Sequence, residues 1–288
     1  MCRVVCSKIF IFQTSNTSYW YNSGMEIPII FEDSELVVID KPSGIVCNRA
    51  DTVQGETLQD WWEERYLGKG EVKSEKGEVG VDEKYFLERS GLVHRLDRET
   101  SGVMVMAKTV EAFVSLLKQF KERGVQKQYH ALTHGYWDAR EGLISLPIAR
   151  RRDDRKKFGV REDGRESVTA YEVLSEYTTW EFPKELKVDD RGYVGFSLVK
   201  FLPKTGRTHQ IRVHAKQMGH PIVGDFDYAG RKRNREDRKW CNRVMLQAQR
   251  IEFEHPRNGK RIRFESINTE LNDALKYMGE PVHHTPGV

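Results

Sequence analysis

An α+β fold is the prediction for this 288-residue chain. Runs of strand length recur along it, with only three stretches of helical spacing between them. Those stretches do not alternate with strands as a doubly wound sheet requires. Bulk composition supplies the rest: 38% of residues are hydrophobic and 31% charged. That is enough apolar material for a core and too much for wholesale disorder. The length fits one large domain or two modest ones.

The elements follow in order. Residues 27–39 read as two short strands around a turn at Glu32-Asp33-Ser34. The second, Leu36-Val37-Val38-Ile39, runs into Asp40-Lys41-Pro42-Ser43-Gly44, a turn built from Pro and Gly. Residues 57–66 read as a helix capped by Thr57, with Leu58, Trp61, Trp62 and Tyr66 as its apolar stripe. The Lys/Glu/Gly-rich stretch 68–84 reads as an acidic insertion loop. Residues 103–107 have the pattern of a buried strand. Thr109 then caps a helix over 110–123 that Gly124 stops. Strands are expected over 128–136, 167–174, 193–201 and 244–253. A helix over 208–218 is closed by Gly219, and a hairpin over 252–263 turns at Asn258-Gly259.

The formal net charge is +4, and its distribution says more. Residues 51–89 hold 11 acidic against 6 basic residues, so the remainder of the chain carries +9. A basic body with one acidic insertion fits a polyanionic partner. The longest clean apolar run is five residues, 103–107, where a membrane helix needs about 20. Four cysteines without a Cys-x-x-Cys pair point to reduced thiols and a cytoplasmic protein. The Ile9-Phe10-Ile11-Phe12 run is too short for a signal-peptide core. Residues 1–24 are expected to be a disordered tail or a misassigned start ahead of Met25. The domain is expected over 25–270, with 271–288 as a C-terminal tail.

Three stretches carry candidate chemistry. In His94-Arg95-Leu96-Asp97-Arg98-Glu99-Thr100-Ser101-Gly102, a carboxylate sits between two guanidinium groups in a loop. Such a carboxylate is either a nucleophile or general base, or a salt-bridged loop aspartate. In 204–214, Arg207, His209 and Arg212 cluster at a strand-to-helix junction, which suits either an anion or a solvated helix cap. In Lys127-Gln128-Tyr129-His130-Ala131 the tyrosine is either core or a platform for a base. His130 and His134 would stand about 13 Å apart on a strand, too far for one ion. With no His-Glu-x-x-His and no P-loop, neither a metal nor a nucleotide cofactor is expected. The runs 150–165 and 231–243 hold eight and seven basic residues and could form a phosphate-tracking rim.

The block from His94 to Gly102, followed by Val-Met-Val-Met-Ala-Lys-Thr, resembles the central motif of RluA-type pseudouridine synthases. Four further stretches match in order: the Lys41-Pro42-Ser43-Gly44 turn with its strand, Lys127–Ala131 with Gly135, Thr205–His214, and His220–Asp225. The resemblance runs from about residue 27 to about 266. It departs from the pattern at Gln247, where relatives usually have His, and at Tyr228-Ala229-Gly230, which carries an extra residue. No S4-type RNA-binding domain is expected on either side, so recognition falls to the catalytic domain.

The resemblance implies a mixed, largely antiparallel sheet with flanking helices and an RNA cleft across it. It implies isomerisation of a uridine in ribosomal or transfer RNA to pseudouridine, without cofactor or metal; a monomer is expected because no long apolar stripe is left unassigned. Asp97 maps to the catalytic aspartate, Arg207 to the arginine that pairs with it, and Tyr129 to the tyrosine that stacks on the base. Arg95, Ile211, His209 and Arg212 are the further substrate-binding candidates. Whether Asp97 attacks uracil C6, attacks C1′ or assists a glycal route stays open. On this mapping Arg207→Lys is crippled. The rival readings are a silent structured-RNA-binding protein or chaperone on the same fold, and a metal-dependent nuclease, which the sparse metal ligands disfavour.

Overall fold

The computed structural model describes residues 26–50, 53–67 and 80–284. The expected tail over 1–24 and most of the expected insertion over 68–84 lie outside the described residues. Strands β1 (Ile29–Glu32) and β2 (Leu36–Lys41) form the first hairpin. Helix α1 (Leu58–Trp62) starts at a capping box: Thr57 accepts from Asp60 N, and the Asp60 carboxylate accepts from Thr57 N. The stripe then departs from the expected α-helix. Glu63–Leu67 winds as a π-helix, which brings the Tyr66 ring to 4.2 Å from Trp62.

Helix α2 (Val81–Arg89) was expected as loop in its first turn; Phe86 anchors it in the core. Next come β3 (Ser101–Ala107), helix α3 (Val110–Lys121) and β4 (Gln126–His134). Thr109 caps α3 by accepting from Ala112 N, and Ala112, Phe113 and Leu116 form its buried face. Beyond β4 lie β5 (Glu141–Ser145), a small hairpin of β6 (Ile148–Arg150) and β7 (Phe158–Val160), then β8 (Val168–Tyr177) and β9 (Phe196–Pro203). Helices α4 (Gln210–Gln217) and α5 (Arg231–Asp237) precede strands β10 (Leu246–Glu254) and β11 (Arg261–Glu265).

Of the stretch 271–288 expected as a tail, residues 271–284 are built into the domain. Helix α6 (Glu270–Leu275) buries Leu271 and Ala274. Strand β12 (His283–His284) pairs with β8.

Among the described residues one ten-stranded sheet runs in the order β1-β2-β3-β10-β4-β9-β8-β12, with β11 on β10 and β5 on β8. Its pairings are antiparallel except β3 with β10. This is the expected α+β architecture. Two hydrophobic cores lie along the sheet. One gathers α1, α2, α3 and β1–β3 with part of β10; the other gathers β4, β8, β9, α4 and α6. Tyr129 packs against both. The parallel seam needs Gly102: at φ +116°, a Cβ there would stand 2.3 Å from Ala248 O.

Candidate active site

A cavity of about 490 Å³ opens at the seam, between the loop before β3, the start of β4 and the start of α4. Asp97 is the one Asp or Glu among the described residues lining it, against seven Lys and Arg. The Asp97 loop owes its shape to backbone contacts from the turn after β2. Gly44 N donates to Arg98 O (2.8 Å), and Ser43 Oγ donates to Glu99 O (2.8 Å). The Lys41 ammonium is fully buried and donates to Pro42 O, Ile45 O and Arg98 O at 2.8, 2.9 and 3.2 Å. Burial pulls its pKa down to about 8. The Cys47 thiol donates to Leu96 O (3.3 Å). On the other side, His94 Nε2 accepts from Val105 N (3.1 Å) and the ring stacks on Phe120.

The partner of Asp97 differs from the expectation. Arg212, on the first turn of α4, places Nη1 3.7 Å from Asp97 Oδ2. Its Nε and Nη2 grip Asp225 as a fork, both at 2.8 Å, and Nη2 also reaches Asp227 at 2.8 Å. These carboxylates raise the Arg212 pKa further above its ordinary value against the opposing effect of burial. Arg207 lines the cavity, but its Nε donates to Glu166 O (3.1 Å) and it makes no ion pair with Asp97. The cause is the start of the helix. Gln210 is buried, and its Oε1 accepts from Arg207 N and from the Thr205 hydroxyl, while Nε2 donates to Val168 O and the Thr169 hydroxyl. That locks the turn so that Arg207 faces the rim and Arg212 faces inward.

The remaining candidates gather around Asp97. His209, in a left-handed conformation (φ 57°), has Nε2 4.0 Å from Asp97 Oδ2 and Nδ1 2.8 Å from Tyr228 Oη. Burial pulls its pKa down, with Asp97 opposing. Tyr129 is half-buried in the lining, and burial raises its hydroxyl's pKa, with Asp97 adding to the rise. Ile211 is buried and lines the wall; Arg95 is exposed at the edge. Sequence reasoning had assigned no role to Asp225, Gln210 or Lys41. Asp225 stands in the matched stretch His220–Asp225, but its burial, and with it the need for a donor, shows only in the fold. Gln247 faces away from the cavity and donates to Gln249 Oε1, Ser266 Oγ and Asn268 O.

No group of three His, Cys, Asp or Glu residues among those described could hold a metal ion. No described helix is long and apolar enough to cross a membrane.

A family model described as RNA pseudouridylate synthase matches residues 35–217. An uncharacterised RNA pseudouridine synthase of Aquifex aeolicus is 38% identical over 245 residues, 83% of this chain and 68% of that one. The ribosomal large subunit pseudouridine synthase D of Pseudomonas aeruginosa is 33% identical, over 86% of this chain and 70% of its own. Synthase C of Haemophilus influenzae is 32% identical, over 90% and 70%. Among solved structures, human RNA Pseudouridylate Synthase Domain Containing 1 superposes with a TM-score of 0.66 at 26% identity, covering 91% of both chains. The matched span contains the Asp97 loop, Tyr129 and Arg212, and the chain belongs to the RNA pseudouridylate synthase family, isomerases that act on RNA.

Proposed function

We propose that this chain isomerises a uridine in a stem-loop of large-subunit ribosomal RNA, with Asp97 as the catalytic carboxylate. The reaction breaks the C1′–N1 bond, turns the uracil and forms a C1′–C5 bond. A carboxylate suits it because it can add to an electrophilic carbon or stabilise an oxocarbenium-like sugar. What supports the assignment is that Asp97 is the sole carboxylate among the described residues lining a basic cavity, with the Arg212 guanidinium opposite it. In this reading Tyr129 stacks on the flipped base, Ile211 forms the apolar wall beside it, His209 faces the reacting carboxylate, and Arg95 occupies the gap left in the RNA. Extrusion costs a few kcal/mol and is cheapest in a loop, hence a stem-loop target. The names of the Pseudomonas and Haemophilus relatives favour ribosomal over transfer RNA. The protein works as a cytoplasmic monomer in this reading.

The test is pseudouridine mapping of total RNA from cells with and without the gene, rescued by wild type or by Asp97→Asn. The expected result is a large-subunit site lost on deletion and restored by wild type alone. Restoration by Asp97→Asn would remove the catalytic assignment. A changed site in transfer RNA instead would overturn the ribosomal one.

A further inference from the structure

Arg207, displaced from Asp97, sits in a setting that calls for an anion. Its Nε is fixed by Glu166 O, and its two terminal nitrogens have no partner among the described residues. Arg123 and Arg165 are close enough for their charges, together with burial, to depress its pKa. Arg123 follows α3 in a left-handed conformation (φ 62°), rare for a residue with a side chain. It too lines the cavity, and its guanidinium stands 3.9 Å from the exposed Glu166 carboxylate. Lys127 is half-buried on β4 and lines the same mouth. A Cβ placed on Gly206 would stand 3.9 Å from its ammonium, so the lysine reaches the residue next to Arg207. No hydrogen bond or ion pair engages that ammonium among the described residues, and burial pulls its pKa down.

Two guanidinium groups that repel one another, with an unengaged ammonium lining the same mouth and one exposed carboxylate beside Arg123, are costly to hold without an anion. We propose that Arg207, Lys127 and Arg123 form a binding site for a backbone phosphate of the RNA strand beside the nucleotide that enters the cavity. This deepens the RNA-modifying reading and rests on it. The arginine fork meets two phosphate oxygens while the lysine adds a point charge from below. Specificity does not come from this site; it fixes the register of the strand, so that the base arrives over Asp97.

The probe is a fluorescein-labelled 12-mer oligouridylate, with affinity read by anisotropy over a series of KCl concentrations. Arg207→Gln, Lys127→Met and Arg123→Gln should each weaken binding about five- to tenfold at 0.1 M salt. Each should lower the slope of log K against log salt by about 0.7, the single-strand value per contact. Lys127→Arg should restore the slope, which separates charge from packing. An oligouridylate with an uncharged methylphosphonate backbone should bind wild type and variants alike. Unchanged slopes in all three variants, or an equal loss on the uncharged probe, would overturn the phosphate site. Tritium release from [5-³H]uridine transcripts of large-subunit and transfer RNA, run in parallel, reports the isomerase reading separately. Wild type without turnover but with the slope changes would sink that reading and leave the anion site standing; turnover with unchanged slopes would do the reverse.

Discussion

Arg212 commits two of its nitrogens to Asp225 and Asp227 and leaves only Nη1 facing Asp97. The fork on Asp225 sets the plane of the guanidinium, and that plane decides where Nη1 stands. A lysine keeps the charge but cannot hold a two-point grip and reach Asp97 as well. Arg212→Lys should therefore lower kcat by about 100-fold or more, since a misplacement of about 1 Å can cost that much. Single-turnover kinetics with a modified-site transcript would check it. Near-normal turnover would mean that charge alone suffices. The motif Thr205–His214 holds two arginines five residues apart, and spacing gives no reason to prefer either. The deciding fact is that the helix begins at Gln210, which puts one arginine before it and the other within its first turn.

Among the elements, β2 and its turn have the largest hold on the Asp97 loop. Lys41 binds three carbonyls from a fully buried position, and one of them, Arg98 O, belongs to that loop. Lys41→Met removes a buried charge, which favours folding, and strands three acceptors, which opposes it. These effects offset, so the melting temperature should move little while kcat falls about 10- to 100-fold as the loop relaxes. A thermal melt beside an initial-rate assay tests this, and an equal fall in both would point to general unfolding instead. The order of strands and helices was largely legible, because β3 and α3 carry uninterrupted buried or helical patterns. Short pieces were not. β5, β6 and β7 are three to five residues long, and their positions depend on partners far away in the chain. The α6 segment has two buried residues in a polar stretch, too faint a pattern to separate from a tail. Asp97 and Tyr129 stood out by residue type and family motif; the contact between Asp97 and Arg212 is tertiary and had no local signature.

Across the whole molecule, buried histidines tie stability to pH, and His94 and His130 carry the largest shifts. Burial, assisted by Lys127 and Arg89, pushes the His94 pKa down to about 3. Burial with Lys200 and Arg250 pushes that of His130 down to about 4. The folded protein keeps both neutral where the unfolded chain, with a histidine pKa near 6.5, takes up protons. The unfolded state then binds more protons, so stability is lost as pH falls from about 6.5 toward 4. Melting curves between pH 7.5 and 4.5 should show this decline. His94→Gln, whose amide oxygen can still accept from Val105 N, should make it shallower. An unchanged slope would mean that other groups govern acid sensitivity.

Strand β10 lies between β3 and β4 in the sheet although it follows them by more than 100 residues in the chain. During synthesis, a ribosome that has released β3 and β4 has not yet made the strand that seats them side by side. Until Leu246–Glu254 emerges, the half bearing Asp97 and the half bearing Arg212 have no common sheet to hold them in register. Such late, long-range closure is slow. A chain that ends between Arg212 and Leu246 therefore carries Asp97, Tyr129 and Arg212 without the strand that joins their two halves of the sheet.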